Sequence, residues 1–381
     1  MTLSPNPLRI AVFGLSITSS WGNGHATTYR SLVKGLVQRG HDVIFYERRQ
    51  RWYEANQDLQ HSDLCEIALY DSYEDFVHRL GGDVQEADLV IIGSYVPDAI
   101  RIARRVLGHS RAITAFYDID TPVTLAAIDT GTCSYLTPDL IPEFDLYLSF
   151  SGGPILDTLE QKFGARRAMP LYCSVDVEHY FPVATAHEYD LGYLGTYSAD
   201  RQPKLELLLN EAARHWPEGR FCVAGAQFPE TLRWPRNVTR TDHIAPTEHR
   251  IFYNSQRFTL NVTRRDMVAS GFSPSVRLFE AAACAIPVIS DDWNGLSHFF
   301  APGEEILVAD TTADVLHALL EMPAEQARSI GSRARARVLR EHTSEHRAQE
   351  LERYVETCRA PRSRDPSMEA AITHPTGAIV Y

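Results

Sequence analysis

Lysine is nearly missing from this chain. It stands only at positions 34, 162 and 204, so arginine carries almost all the positive charge. Genome composition accounts for that bias, which carries no function by itself. Positive charge is also in deficit overall: 49 acidic residues against 37 basic ones give a formal net charge of −12. A balance of that sign argues against general affinity for nucleic acid or anionic membranes. The six cysteines, at 65, 133, 173, 222, 284 and 358, include no Cys-x-x-Cys pair. This speaks for reduced thiols and against a disulfide or zinc framework. No His, Cys, Asp and Glu cluster has metal-ligand spacing, so no metal is expected. No apolar run approaches the roughly 20 residues of a membrane span. The start, MTLSPNPLRIAVFG, lacks a basic-then-apolar signal pattern and enters a strand directly. The expectation is a cytoplasmic protein that does not span a membrane.

What is present is an alternation of apolar runs and helical stretches. RIAVFGL (9–15) stops at a glycine-bearing loop, SITSSWGNGH. A helix from about 26 to 39 and the strand HDVIFYE (41–47) follow. A strand, glycine loop, helix and strand in this order open a doubly wound α/β domain. Gly22 and Gly24 do not form the G-x-G-x-x-G fingerprint. They bracket Asn23 just before a helix start near His25, where backbone N–H groups can meet an anion or a sugar. Further strands are expected at 88–94, 111–118 and 145–150, giving a mainly parallel sheet covered on both faces.

Ligands of such sheets bind beyond the carboxyl ends of the strands. That rule marks the loop after Gly14, Ser94–Tyr95, and FYDIDTP (116–122). Asp118 is the candidate for chemistry there, and Asp120 reads as a helix N-cap. A second rhythm begins near 186. YDLGYLG (189–195) ends at Gly195, and strands at 221–227, 258–263, 287–290 and 305–310 follow, with closing helices at 311–320, 323–340 and 344–359. The last twenty or so residues have no periodicity.

One carboxylate is out of place. In SGFSPSVRLFEAAACAIPVISDDW (270–293), Glu280 sits among Leu278, Phe279 and three alanines, where a charge needs a partner or a ligand. Ser273 as N-cap and Pro274 at the first helical position would start the helix roughly 10 Å from Glu280. A helix start suits phosphate. Phosphate there and sugar hydroxyls on the carboxylate would together hold a nucleotide.

SPSVRLFEAAACAIPVISD, together with SVDVEHYFPV, YDLGYLGTYSADRQPKLELL and ARARVLREHTSEHRAQELERYV, resembles the GT-B glycosyltransferases, and within them the CgeB-like, group 1 type. The resemblance spans most of 9–358 and is strongest in the C-terminal half. It implies an α/β fold of GT-B architecture, two Rossmann-like doubly wound domains facing across a cleft. The implied divisions are an acceptor domain (1–172), a linker (173–186), a nucleotide-sugar donor domain (187–343), a helix crossing back (344–360) and an irregular tail (361–381). By resemblance, Arg201 and Lys204 are the basic pair for the donor diphosphate, aided by the 271–275 loop with Gly271, Ser273 and Ser275. Glu280 binds the ribose, and His243 and Ile244 lie in the base-binding loop.

The implied reaction is metal-independent hexosyl or deoxyhexosyl transfer. The donor is a UDP-, GDP- or dTDP-sugar, acting as co-substrate with no further cofactor. The acceptor hydroxyl belongs to a glycan, lipid, small molecule or macromolecule, and homodimerisation is open. If the reaction inverts configuration, His25 and Asp118 are the candidate bases. The sequence departs from the family at Phe272, which stands eight residues before Glu280 where many relatives carry an acid. That departure leaves the donor sugar and the stereochemistry open. It also keeps in view a degenerate nucleotide-sugar-binding partner, and a sugar-nucleotide epimerase of the same fold is a separate rival.

Overall fold

Short apolar runs, several of them closed by glycine or aspartate, make the central strands of two parallel sheets. The computed structural model describes residues 3–21, 24–59, 64–79 and 81–359. The first sheet contains β1 (Arg9–Gly14), β2 (Asp42–Arg48), β3 (Glu66–Tyr70), β4 (Leu89–Gly93), β5 (Ile113–Asp118), β6 (Leu146–Ser149) and β7 (Ala168–Pro170). Its order is β3-β2-β1-β4-β5-β6-β7, and every pairing is parallel. The second contains β8 (Tyr189–Leu194), β9 (Phe221–Ala224), β10 (Val238–Thr241), β11 (Gln256–Asn261), β12 (Val288–Ser290) and β13 (Leu307–Val308), in the order β10-β9-β8-β11-β12-β13. Both halves thus reverse direction beside their first strand, which is the doubly wound pattern.

Central strands such as β4 (LVIIG) are buried on both faces, as parallel sheets under helices require. Strands β3, β7 and β10 were not expected from the sequence. All three lie at sheet edges, and β10 (VTRT) carries no apolar run to reveal it.

The linker is part of the core. Cys173, Val175 and Tyr180 are buried in one apolar cluster with Tyr29, Leu32, Leu171 and Tyr172 of the first domain and Leu278 and Phe279 of the second. The final helix, Ser344–Arg359, lies against helix His25–Gln38. A side chain at Gly35 would stand 2.2 Å from the Ser344 carbonyl, so the two helices meet where glycine allows it. Ser31 Oγ bonds both Ser174 Oγ and Ser344 Oγ at 2.7 Å, and Arg39 Nη2 donates to Glu352 Oε2 at 2.7 Å. These contacts hold the first domain, the linker and the last helix in one arrangement. The tail from 361 lies outside the described residues.

Candidate functional site

A cavity of about 550 Å³ opens between the two sheets. Its wall is built by residues that directly follow strands: Leu15 after β1, Tyr95 soon after β4, Ile119 and Asp120 after β5, and Phe150 after β6. From the second domain come Gly195 after β8, Gly225 after β9, and Val262 and Thr263 after β11. Both sheets therefore present their carboxyl ends to one space.

On the second domain's side the loops after β8 and β9 touch backbone to backbone. Gly225 has φ +152, and a Cβ there would lie 2.0 Å from the Gly195 carbonyl oxygen. Gly195 has no room for a side chain either, with Arg277 Nη2 2.6 Å from its would-be Cβ. The bare backbone lies beside three guanidinium groups. Arg277 is buried, donates to the Leu194 carbonyl and, at 2.8 Å, to Asn261 Oδ1, and stacks over Tyr193 at 4.6 Å. Arg201 donates to the Thr196 carbonyl at 2.6 Å, and its Nε is buried without a partner among the described residues. Burial lowers the Arg201 pKa, and neighbouring Arg277 and Arg264 push it the same way. Arg264 stands 3.7 Å from Asp120. Three cations on one wall, with Asp120 reaching Arg264 from across the cleft, are suited to an anionic ligand.

Lys204 does not join them. It pairs with Asp310 at 3.1 Å and is outside the cavity wall, so the expected basic pair is split. The helix start also needs correction. The helix runs Val276–Ala283 with Ser275, not Ser273, at the N-cap position. Ser275 Oγ donates to Asn261 Oδ1 at 2.7 Å, and Ser275 and Pro274 line the cavity. Residues 271–273 instead join the domains. Gly271, at φ +70, has no room beside the Asn294 carbonyl. Phe272, at φ +47, places its ring against Gly153 and Gly295 and accepts from the Gly152 N–H at 3.0 Å. Ser273 is buried against Ser151. The residue in the place of the family's acid thus serves as an interdomain wedge.

Glu280 lines the cavity, is 3% exposed and accepts from Tyr253 OH at 2.8 Å. Its surroundings extend to the 243–246 loop. His249 bonds the Ile244 carbonyl through Nε2 at 3.1 Å and Tyr180 OH through Nδ1 at 3.2 Å. A carbonyl only accepts, so Nε2 carries the proton and Nδ1 accepts. Burial lowers the His249 pKa against the opposing charge of Glu280, which suits this neutral form. His243 and Ile244 line the cavity beside it.

On the first domain's side His25 and Asp120 meet. His25 Nε2 stands 3.8 Å from Asp120 Oδ2, which also accepts from Tyr95 OH at 3.2 Å. The His25 Nδ1 is buried without a partner among the described residues. Tyr95 is held at φ +64, a strained conformation for a bulky residue and one that clusters at functional sites. Asp120 occupies the N-cap position of helix Thr121–Asp129, yet its side chain makes no capping bond. Burial alone would raise its pKa, but His25 and Arg264 outweigh it and hold the carboxyl below the usual range.

Asp118 is the corresponding correction. It is fully buried outside the cavity wall, accepting from Tyr147 OH at 2.6 Å and Thr124 Oγ1 at 2.7 Å. The chain leaves the sheet after Asp118, and only two residues later does an acid reach the cleft. Gly22 lies outside the described residues. Gly24 lines the cavity with ordinary φ −84 and open space at its Cβ position, so nothing there demands glycine.

Burial raises the Asp118 pKa to about 6, its hydrogen bonds opposing. A carboxyl whose pKa rises on folding favours the protonated folded state. Its contribution is whole below about pH 4 and is lost as pH climbs through about 6. Relative to Asp118→Asn, the wild type should lose on the order of 3 kcal/mol of unfolding free energy across that window and stay level above it. Denaturant unfolding of both proteins from pH 4 to 8 checks this; a constant or rising difference would contradict it.

Sequence reasoning missed Arg277, Arg264, Tyr253 and His249; it marked Tyr95 and Asp120 only by their place at strand ends and gave Asp120 an N-cap role. Arg277 had a signal in lying three residues before Glu280 on the same helical face.

The family described as glycosyl transferase-like matches residues 201–353. No curated protein matches the chain. Among solved structures, sucrose-phosphate synthase from Thermosynechococcus elongatus is similar at 14% identity and TM-score 0.67, covering 92% of this chain and 98% of its own. HepE from Anabaena, in complex with UDP and glucose, is similar at 12% identity and TM-score 0.67, covering 92% and 100%. An alpha-glucosyltransferase bound to UDP and a 13-mer DNA reaches TM-score 0.69 at 12% identity, with the same coverage. At these identities the likeness establishes the fold, which is GT-B.

Proposed function

For a chain of the GT-B fold whose residues 201–353 match the glycosyl transferase-like family, we propose glycosyl transfer from a nucleotide-diphosphate sugar to an acceptor hydroxyl, without a metal. The observation that carries this reading is the placement of Arg201, Arg264, Arg277 and Glu280 in one cavity facing His25 and Asp120. The diphosphate lies against Arg201, Arg277 and the start of helix Val276–Ala283. Guanidinium groups and helix N–H groups offset the charge that grows on the leaving diphosphate, which is the task a metal would otherwise perform. The ribose binds Glu280, and the base lies toward His243 and Ile244. From the opposite wall, His25 takes the acceptor's proton, with Asp120 stabilising the resulting imidazolium. UDP-sugars are the first donors to test, because HepE and the alpha-glucosyltransferase were solved with UDP.

Purified protein should release nucleoside diphosphate from a UDP-, GDP- or dTDP-sugar, faster with acceptor, and at the same rate in chelator. A rate abolished by chelator and restored only by a divalent ion would overturn the metal-independent part. Nucleotide binding with neither transfer nor hydrolysis would instead support the degenerate binding partner. A change in the sugar without any acceptor-linked product would support the epimerase.

A further inference from the structure

The acceptor's chemistry can be read from the wall that His25 stands on, given the glycosyl-transfer reading on which this rests. That wall is built by the first domain. Among the described residues, no lysine or arginine of the first domain lines the cavity. It offers the Asp120 carboxylate, the His25 imidazole, the hydroxyls of Ser20 and Thr27, and the rings of Tyr53 and Tyr95. The three arginines of the cavity all come from the second domain, and Arg264 is already engaged by Asp120 at 3.7 Å.

We propose that the acceptor is an uncharged, polyhydroxylated molecule, a neutral sugar or glycoside, and not a sugar phosphate or a nucleic-acid backbone. Phosphate recognition calls for forked or point cations placed on the phosphoryl oxygens, and this wall supplies none. What it supplies is repulsion, since His25 and Arg264 keep Asp120 ionised. Hydroxyls and carboxylate oxygens pair with sugar hydroxyls, and flat aromatic rings cover the C–H face of a pyranose as they cover other apolar surface. Tyr95 is fixed for such a role, with its hydroxyl on Asp120 and its ring 4.7 Å from that of Tyr135.

The test uses the full chain with the donor that it hydrolyses fastest and matched acceptors: glucose against glucose 6-phosphate, fructose against fructose 6-phosphate. Diphosphate release above hydrolysis should favour the neutral member of each pair by at least about tenfold in kcat/KM. Thr27→Lys, which adds a cation to the wall, should narrow that preference. Phosphorylated acceptors used equally well or better overturn the proposal. In that case the glycosyl-transfer reading survives. The absence of any acceptor-stimulated release while UDP still binds also overturns the proposal, and leaves only the nucleotide-binding part of the underlying reading standing. Loss of nucleotide binding itself would instead remove the underlying reading, and this proposal with it.

Discussion

Replacing His25 with alanine is expected to lower kcat by about 10²- to 10⁴-fold, the usual contribution of a positioned acid–base group. Affinity for bare nucleotide should not change. The split follows from placement. His25 begins helix His25–Gln38 on the first domain's wall, while Arg201, Arg277 and Glu280 stand on the second. Its Nε2 lies 3.8 Å from the Asp120 carboxylate, which is held below the usual carboxyl range. Its Nδ1 is buried and has no hydrogen-bond partner among the described residues. Steady-state rates and a nucleotide titration on the same variant check both halves. Weakened nucleotide binding at unchanged kcat would move His25 to the donor site.

The central strands were legible because burial on both faces demands continuous apolar runs, and runs like LVIIG have no other home. The edge strands were not: Glu66–Tyr70 and Val238–Thr241 pair on one side only and tolerate polar residues. Glu280 was legible as a charge in an apolar helix. Arg277 in the same helix was passed over because an arginine in a helical window usually marks a solvated face, and only the fold brings Leu194 and Asn261 to it. The partners of Lys204 and Asp118 were beyond local reading. Asp310 lies 106 residues from Lys204, and Tyr147 lies on the neighbouring strand from Asp118. Between Asp118 and Asp120 composition is silent. The point at which the chain leaves β5 decides which acid is sealed and which meets the cleft.

The second large effect concerns Glu280, the anchor of the nucleotide reading. Glu280 is almost fully buried, with Tyr253 OH holding Oε2 at 2.8 Å, yet it still borders the cavity. That hydroxyl fixes the carboxylate in place before any ligand arrives. Ribose hydroxyls donating to it form charge-assisted bonds worth on the order of 1.5–3 kcal/mol each. Glu280→Gln retains the shape and one acceptor oxygen for Tyr253 while removing the charge. It should weaken nucleotide binding by about tenfold to a hundredfold, or roughly 1.4–2.8 kcal/mol, with little loss of fold stability. Calorimetric titration of UDP into the wild type and Glu280→Gln, with thermal unfolding as the control for folding, needs neither the sugar nor the acceptor. A clear loss of affinity in a folded variant is the result expected, and equal affinities in two folded proteins would contradict the assignment of this cavity to the nucleotide.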